Sequence, residues 1–226
     1  MSHIGEIKEF AKRLQLYNLA RGDIDLSTGT KSNVAYLHSI LAQEVALRDQ
    51  SRYVRLEHES RLPRKEFLPE KLNGGVRWQI EQLEKLAWID DEQNLFIIGK
   101  CGVGKTALAS HLGRLAMKAN IKVSYNTIDT FLYTLRNKER SNKQALRYKY
   151  WLTCSLIIID DMMYTGLTDE ELMDFYHAAI LLNETRSIVI VTNRELSSWQ
   201  RSGNDGHLMQ TLIERLTSNS QLIRLT

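Results

Sequence analysis

Residues 95–106 read LFIIGKCGVGKT, an apolar run that passes directly into a glycine-rich loop. The spacing G-x-x-x-x-G-K-[ST], after a predicted strand and before a predicted helix, is typical of a loop that binds phosphate groups. Glycine tolerates positive φ, so the backbone can turn successive N–H groups toward one anion. The sequence therefore predicts a nucleoside triphosphate site at the start of a helix, where the helix dipole also favours negative charge.

Two side chains of this loop have specific predicted roles. Lys105 supplies a positive charge for the β- and γ-phosphates, and the Thr106 hydroxyl is a ligand for Mg²⁺. Most other contacts come from backbone N–H groups, so the whole segment is the predicted nucleotide-binding set. It consists of Gly99, Lys100, Cys101, Gly102, Val103, Gly104, Lys105, Thr106 and Ala107.

The composition argues against several other classes of protein. The chain has 226 residues and a net charge of +3. Its apolar stretches are too short to span a membrane, and its first residues lack the pattern of a secretory signal. Cys101 and Cys154 are far apart and indicate reduced thiols rather than a disulfide framework. We therefore expect a cytoplasmic protein without a membrane segment.

A cluster of helix-breaking residues divides the chain before the phosphate loop. It contains Pro63, Pro69 and the run Asn73-Gly74-Gly75. Residues of this kind interrupt helical patterns and mark loops or linkers. We therefore predict an N-terminal helical module of residues 1–68 and an α/β domain of residues 69–226.

One face of a long helix, predicted from about Asn33 to Ser60, changes from apolar to basic. The apolar part of this stripe consists of Val34, Leu37, Leu41 and Val45, and the basic part consists of Arg48, Arg52 and Arg55. The apolar half is expected to pack in a small bundle, and the arginine half can bind nucleic-acid phosphates. The alternative is a solvent-exposed helix end with ion pairs one turn apart, such as Glu44–Arg48.

Strand-like and helical patterns alternate from Asn94 onward. The predicted strands are Leu95–Ile98, Ile121–Tyr125, Cys154–Ile159, Ser187–Thr192 and Gln221–Leu225. The sequence Thr168-Asp-Glu-Glu171 predicts a helix start with a capping box. Alternation of this kind predicts a parallel sheet covered by helices.

Two of these strands end in polar residues suited to nucleotide chemistry. Asp160 and Asp161 follow a fully apolar strand. The first acid can hold Mg²⁺ or its water shell, and the second can orient or deprotonate an attacking water. Asn193 follows the next strand and can donate a hydrogen bond to the γ-phosphate, although asparagine after a strand is also a common turn residue.

Taken in order, these motifs resemble one family of ATPases. The segments GKCGVGKT, LIIIDD and VTN, with a tail that contains Leu212–Leu216 and Ile223–Leu225, resemble the AAA+ ATPases of the IstB/DnaC group. The helical module, the arginine-rich helix and the linker Arg61-Leu62-Pro63 are most similar to IstB-like transposition helper proteins of insertion sequences. The resemblance implies a P-loop NTPase fold, ATP as the nucleotide and ATPase activity.

The resemblance also implies roles for individual residues. Asp160 takes the position of the Walker B metal residue, Asp161 that of the catalytic base and Asn193 that of the first sensor. Arg215, in a Glu-Arg-Leu context, resembles the arginine finger that completes the ATP site of a neighbouring subunit. The predicted catalytic set therefore consists of Lys105, Asp161, Asn193 and Arg215. Eleven residues follow Arg215, so no C-terminal helical lid is expected.

A basic segment adds a second candidate site. Residues 136–149, RNKERSNKQALRYK, contain six basic residues and one acidic residue. In the proteins that the chain resembles, an insertion at this place faces the inside of a helical assembly, which implies contacts with a DNA backbone. The predicted contacts are Arg136, Lys138, Arg140, Lys143 and Arg147. DNA binding is expected to be largely sequence-independent and salt-sensitive, and the alternative is a solvent-exposed helix face.

These features predict an ATP-dependent DNA-binding helper of an insertion-sequence transposase. The protein is expected to associate with further copies of itself on duplex DNA in the ATP state and to reset on hydrolysis. Two alternatives share the ATPase core. One is a replicative helicase loader of the DnaC type, and the other is a DNA scaffold that hydrolyses ATP only weakly. The second gains support from Asp161, because many AAA+ proteins have Glu there.

Overall fold

The computed structural model describes residues 3–71, 74–164, 166–199 and 206–226, and the chain divides into two compact units. The first unit ends at Arg55 and the second begins at Leu56, so the division lies inside a long helix. Within the second unit, Leu56 and Leu62 are both buried. The end of the long helix and the start of the proline-containing segment therefore belong to the α/β unit. The predicted domain boundary after residue 68 stays a prediction.

The N-terminal unit is a small helical bundle. It contains α1 (His3–Arg13), α2 (Tyr17–Arg21) and most of α3 (Lys31–Ser60). Ile7 and Leu14 form its core with Leu41 and Val45, while the rest of the predicted apolar stripe of α3 packs around them. Full burial of such a side chain stabilises the fold by about 1.5–3 kcal/mol relative to exposure. The predicted packing of the first half of α3 is confirmed.

The second unit is an α/β structure. Its helices after α3 are α4 (Gly74–Leu83), α5 (Ala87–Asp90), α6 (Lys105–Lys118), α7 (Ile128–Asn137), α8 (Asn142–Trp151), α9 (Asp169–Asn183), α10 (Leu196–Trp199) and α11 (Gly206–Thr217). Its strands are β1 (Asn94–Gly99), β2 (Val123–Thr127), β3 (Leu156–Met162), β4 (Ser187–Thr192) and β5 (Ser220–Leu225). Among the described residues, no helix combines the length and the apolar composition that crossing a bilayer requires.

The strands form a parallel sheet in the order β2-β3-β4-β1-β5. Every residue of β4 is buried, as expected for a central strand with helices on both faces. Phe96 and Ile190 pack with Phe131 and Phe175 on one face, and Ile158 approaches α6 on the other. Because all strands run in one direction, their carboxyl ends meet at a single edge of the sheet.

The predicted capping box at the start of α9 is confirmed. The Thr168 Oγ1 accepts a hydrogen bond from the Glu171 N–H at 3.3 Å, and the Glu171 Oε2 accepts one from the Thr168 N–H at 3.0 Å. These bonds satisfy backbone donors that the first turn of a helix leaves without partners. They fix the start of α9 after the loop that leaves β3.

Candidate functional site

The glycine loop joins β1 to α6 at the carboxyl edge of the sheet. Gly102 and Gly104 have φ values of +86° and +97°, in the left-handed region that side chains with a Cβ rarely adopt. Gly104 is also the residue that caps the start of α6. Gly99 is required for another reason, because a Cβ there would collide with the Leu225 carbonyl oxygen and approach Val103 Cγ2 to 2.9 Å.

Lys105 folds back over this loop. Its Nζ donates a hydrogen bond to the Lys100 carbonyl oxygen at 2.8 Å. Desolvation by partial burial lowers the pKa of Lys105, while the negative charges of Asp160 and Asp161 act in the opposite direction. The ammonium group is therefore held at the loop by a backbone acceptor that a phosphate oxygen can replace.

The first acid at the end of β3, Asp160, is held in a fixed position. Its side chain is 2% exposed and accepts hydrogen bonds from the Tyr125 hydroxyl and from the Asp161 N–H, both at 2.8 Å. Burial, followed by the charge of Asp160, raises the pKa of Tyr125, so this hydroxyl remains a donor. The bonds orient the Asp160 carboxylate, as outer-shell partners of metal-binding carboxylates do. No sequence motif identified Tyr125, because its partner belongs to another strand.

The second acid, Asp161, lies in an irregularity between β3 and β4. Ile159 pairs with Ile190 and Met162 pairs with Thr192, so two residues of β3 oppose one residue of β4. Asp161 has a φ of +57° and an exposed side chain. Burial of part of the carboxyl group, followed by the charge of Asp160, raises the pKa of Asp161. The bulge thus directs two successive acids to different environments.

These groups surround one small cavity at the carboxyl edge. Its volume is about 50 Å³, and its lining includes Cys101, Lys105, Asp160, Asp161 and Asn193. Asn193 follows a strand end fixed by Thr192, whose hydroxyl donates to the Met162 carbonyl oxygen at 2.8 Å. The structure therefore brings together the side chains of Lys105, both acids and Asn193, as the sequence motifs predict.

A larger cavity of about 360 Å³ lies beside the glycine loop. Its lining consists of Glu66, Phe67, Leu68, Gly102, Val103, Gly104, Ala107 and Thr226. Phe67 packs against His111 of α6 with 5.0 Å between the ring centroids. The cavity has room for a flat heterocyclic ring, and Phe67, Leu68, Val103 and Ala107 contribute apolar side chains to its mixed lining. No sequence motif identified Phe67 and Leu68, because their position beside the glycine loop depends on the fold of the chain.

Arg215 lies far from this loop. It precedes Leu216, whose carbonyl oxygen accepts a hydrogen bond from Asn94 at the opposite end of β1. A strand of six residues is roughly 17 Å long. The Arg215 side chain is exposed, and within the described residues it makes no ion pair. The predicted finger is therefore remote from the phosphate loop of its own chain.

The three predicted DNA-contacting arginines of α3 share one surface. Arg48 pairs with Glu44 at 2.7 Å, and Arg52 pairs with Asp49 at 2.8 Å. Arg55 lies along the same groove and is exposed. The Glu44–Arg48 pair is the one that the alternative interpretation expects. Exposed pairs contribute at most about 1 kcal/mol, so phosphates can compete with them and DNA contact at this surface stays a prediction.

The basic segment forms the end of α7, a short turn and α8. Arg136 donates to the Asp174 carboxylate at 2.6 Å, and the Lys138 ammonium lies 4.4 Å from the centre of the Tyr148 ring. Arg140 and Lys143 are exposed, and the described residues provide no ion-pair partner for either. The six basic residues therefore differ in their availability to a phosphate backbone.

The prediction that Arg147 contacts DNA is wrong. Its side chain is 5% exposed, and its guanidinium donates to the Glu59 carbonyl oxygen at 2.7 Å, the Ser124 hydroxyl at 2.9 Å and the Tyr125 carbonyl oxygen at 2.8 Å. Burial lowers the pKa of Arg147 to about 10. The residue joins the end of α3 to β2, so its Nη1 and Nη2 groups donate inside the protein and its buried guanidinium is not accessible to DNA.

Comparison with known proteins agrees with this arrangement. A family model described as IstB-like ATP binding protein matches residues 9–226. The chain belongs to this family. An ATP-binding protein of an IS21-like insertion sequence from Bacteroides fragilis is 28% identical over an alignment that covers 100% of this chain and 89% of that protein. The resemblance to IstB-like proteins predicted from the motifs is confirmed.

Solved structures show the same fold as this IstB-like chain. AMPPCP-bound DnaA from Aquifex aeolicus has a TM-score of 0.57 and 20% identity, over 74% of this chain and 51% of that chain. The DnaC helicase loader has a TM-score of 0.56 and 14% identity, over 76% of this chain and 99% of that chain. At these identities the likeness concerns the fold alone, and the predicted P-loop AAA+ fold is confirmed.

Proposed function

We propose that this IstB-like chain is an ATPase that assembles on duplex DNA in its ATP state and serves an insertion-sequence transposase. The observation that carries the proposal is the convergence of the glycine loop, Lys105, the two acids and Asn193 at one edge of a parallel sheet. Membership in a family of IstB-like ATP-binding proteins supports ATP as the nucleotide. The insertion-sequence origin of the relative from Bacteroides fragilis supports the transposition context.

The phosphates would bind where backbone N–H groups of the loop and the Lys105 ammonium converge. Lys105 would exchange the Lys100 carbonyl oxygen for phosphate oxygens, which offers it charge-assisted hydrogen bonds. The purine would fit the cavity beside Phe67 and Leu68. Thr106 and Asp160 would hold Mg²⁺, which neutralises phosphate charge when bound.

Hydrolysis would use the second acid as the base. The exposed Asp161 carboxylate can accept a proton from an attacking water, and its raised pKa makes it a stronger base than an ordinary aspartate. Asn193 lines the same cavity and can donate a hydrogen bond to that water or to the γ-phosphate. Asp160 is unsuited to this role because two hydrogen bonds hold it in place.

Arg215 would act on the nucleotide of a neighbouring copy. It lies near the amino end of β5, whereas its own glycine loop lies at the carboxyl edge. A guanidinium supplied by a neighbour stabilises the charge of phosphoryl transfer and makes turnover depend on assembly. The exposed Arg140 and Lys143 would contribute to the DNA-binding surface of that assembly, whose contacts go to phosphates.

Mixing two inactive variants tests this proposal. K105A and R215A should each lose ATPase activity, K105A through lost ATP binding and R215A with ATP binding retained. A mixture should regain part of the activity, because an interface can combine the intact loop of one subunit with Arg215 of the other. Absence of recovery, with mixed oligomers shown to form, would contradict the assignment of Arg215.

Duplex and single-stranded DNA separate the proposed role from the helicase-loader alternative. Stimulation of ATP turnover and assembly by duplex DNA supports the transposition helper, whereas preference for single strands supports a loader. Stable assembly on duplex in ATP with turnover near zero supports the weakly hydrolysing scaffold. Each arm uses the full chain with Mg²⁺ and ATP at fixed salt, because electrostatic DNA affinity depends steeply on salt.

A further inference from the structure

A group of side chains of types that bind metal ions lies in the N-terminal unit. It consists of His3 and Glu6 on α1 and His38 on α3. Their nearest candidate ligand atoms all lie within 4.8 Å of one another. His3 and Glu6 are three residues apart, which places them on the same face of α1. Two imidazoles and one carboxylate thus converge from two helices.

The distances within this group suit a single small ion. Glu6 Oε2 lies 2.8 Å from His38 Nε2 and 4.0 Å from His3 Nδ1. Ligand atoms around a tetrahedral zinc ion lie about 3.3 Å apart, since each is about 2.0–2.1 Å from the metal. One observed distance is shorter and the other longer than this value. Rotation of the exposed His3 side chain can shorten the longer distance, and rotation of the partly exposed Glu6 carboxylate can lengthen the shorter one.

The Nε2 nitrogen of His38 has no partner in the direction that a hydrogen bond requires. Its Nε2 is shielded from solvent and forms no hydrogen bond, because its close approach to Glu6 has the distance but not the direction of one. Phe10 and His3 pack around the ring at centroid distances of 5.3 and 4.7 Å. A buried polar atom without a hydrogen bond is costly unless something else binds it. A metal ion would provide that partner.

The chemistry of the group selects the kind of ion. Imidazole nitrogens suit Zn²⁺ and similar transition metals, whereas Mg²⁺ prefers a full set of oxygen ligands in octahedral geometry. Two histidines and one glutamate form a three-ligand zinc site that leaves a fourth position for water. His3 is exposed and Glu6 partly exposed, so this position is open to solvent.

We propose that His3, Glu6 and His38 bind one Zn²⁺ ion and thereby fasten the start of α1 to α3. The other end of α1 already has such a connection, because Arg13 donates two hydrogen bonds to the Asp49 carboxylate at 2.6 and 2.8 Å. With both ends attached, α1 is fixed along α3 between His38 and Asp49, and Asp49 also pairs with Arg52, one of the predicted DNA-binding arginines. The site is independent of the nucleotide and its Mg²⁺.

Titration of the untagged full chain with Zn²⁺, without nucleotide, tests the proposal. Calorimetry should detect one site, and H38Q and E6Q should each weaken binding by about tenfold or more. H58Q is the matched control, since it alters an exposed histidine of the same helix, and it should leave the affinity unchanged. Replacement of zinc by Co²⁺ should give the visible absorption of a tetrahedral site in the native chain and H58Q.

H3Q protects the test against misfolding, because His3 is largely exposed and its loss leaves the packed core intact. It should weaken Zn²⁺ binding without lowering the melting temperature measured in the absence of metal. Hydrogen exchange of the α1 amides should slow on addition of Zn²⁺ in the native chain and not in H3Q. Equal affinity of H3Q, H38Q and native chain, or absence of Zn²⁺ binding by the native chain, would overturn the proposal.

Discussion

The carboxyl edge of the sheet and the basic segment of residues 136–149 place charged side chains in opposite ways. At the edge, the backbone determines where the side chains lie. Left-handed glycines, a bulge and parallel strand ends bring Lys105, Asp160 and Asp161 to one cavity. In the basic segment, contacts with other elements determine which basic side chains are exposed. Arg147 is buried against β2, whereas Arg140, in the turn between α7 and α8, is exposed. A basic residue in the sequence therefore indicates a positive charge, but it does not show whether that side chain is accessible to a ligand.

The largest effect is expected at the edge. D161N should lower ATP turnover by about 10²- to 10⁴-fold, as expected for loss of a general base, while ATP binding is retained. Steady-state turnover and a fluorescent nucleotide titration measure the two quantities. An equal loss of binding and turnover would show that Asp161 supports the loop rather than the chemistry.

The pH profile sharpens the same prediction. A base works only when deprotonated, so turnover falls as the pH drops through the pKa of Asp161. Burial and Asp160 raise this pKa, and the acidic limb should therefore lie above the usual aspartate value of about 3.9. D129N removes a nearby negative charge that also raises the pKa, so it should keep turnover and shift the limb to lower pH. A shift in the other direction would contradict the assignment.

A stability comparison tests the difference within the basic segment. R147A should lower the free energy of unfolding by about 3 kcal/mol, because it leaves several buried acceptors without donors. R140A, at an exposed position of the same segment, should change it by less than about 0.5 kcal/mol. Chemical denaturation midpoints provide the values. Similar values for both variants would contradict the buried role of Arg147.

The exposed residues of the segment, which contribute little to stability, should contribute most to DNA affinity. The double variant R140Q/K143Q should weaken duplex binding and reduce the salt slope by about two, one for each lost phosphate contact. R136Q is the control and should have a smaller effect, because Arg136 is already paired with Asp174. Binding isotherms at several salt concentrations give the slopes. An unchanged slope in the double variant would exclude this surface from the DNA contact.

The smallest effect is expected from Y125F. It removes the hydrogen bond from the Tyr125 hydroxyl to Asp160, worth about 1 kcal/mol, and leaves the ring in place. The Mg²⁺ concentration that half-saturates ATP turnover should rise several-fold. Y133F, which alters an exposed tyrosine, should not change it. An unchanged half-saturating Mg²⁺ concentration in Y125F would show that Asp160 does not need the hydrogen bond from Tyr125 for this role.

Much of the fold could be predicted from the sequence because local patterns determine it. The predicted strand Ser187–Thr192 agrees with β4 at both ends, since a buried parallel strand is a continuous apolar run. The phosphate loop, the capping box and the two acids were recognisable because each depends on short spacing. Tyr125, Phe67 and the burial of Arg147 could not be predicted, because each depends on contacts between residues distant in the chain.

The most direct test of the central claim is a crystal structure with Mg²⁺ and a non-hydrolysable ATP analogue. We expect the triphosphate inside the loop of residues 99–106, with Lys105 Nζ moved from the Lys100 carbonyl oxygen to the phosphates. We also expect the metal beside Thr106 and Asp160. A nucleotide bound elsewhere, or a Lys105 that stays on the Lys100 carbonyl while the loop holds no phosphate, would contradict the proposed site.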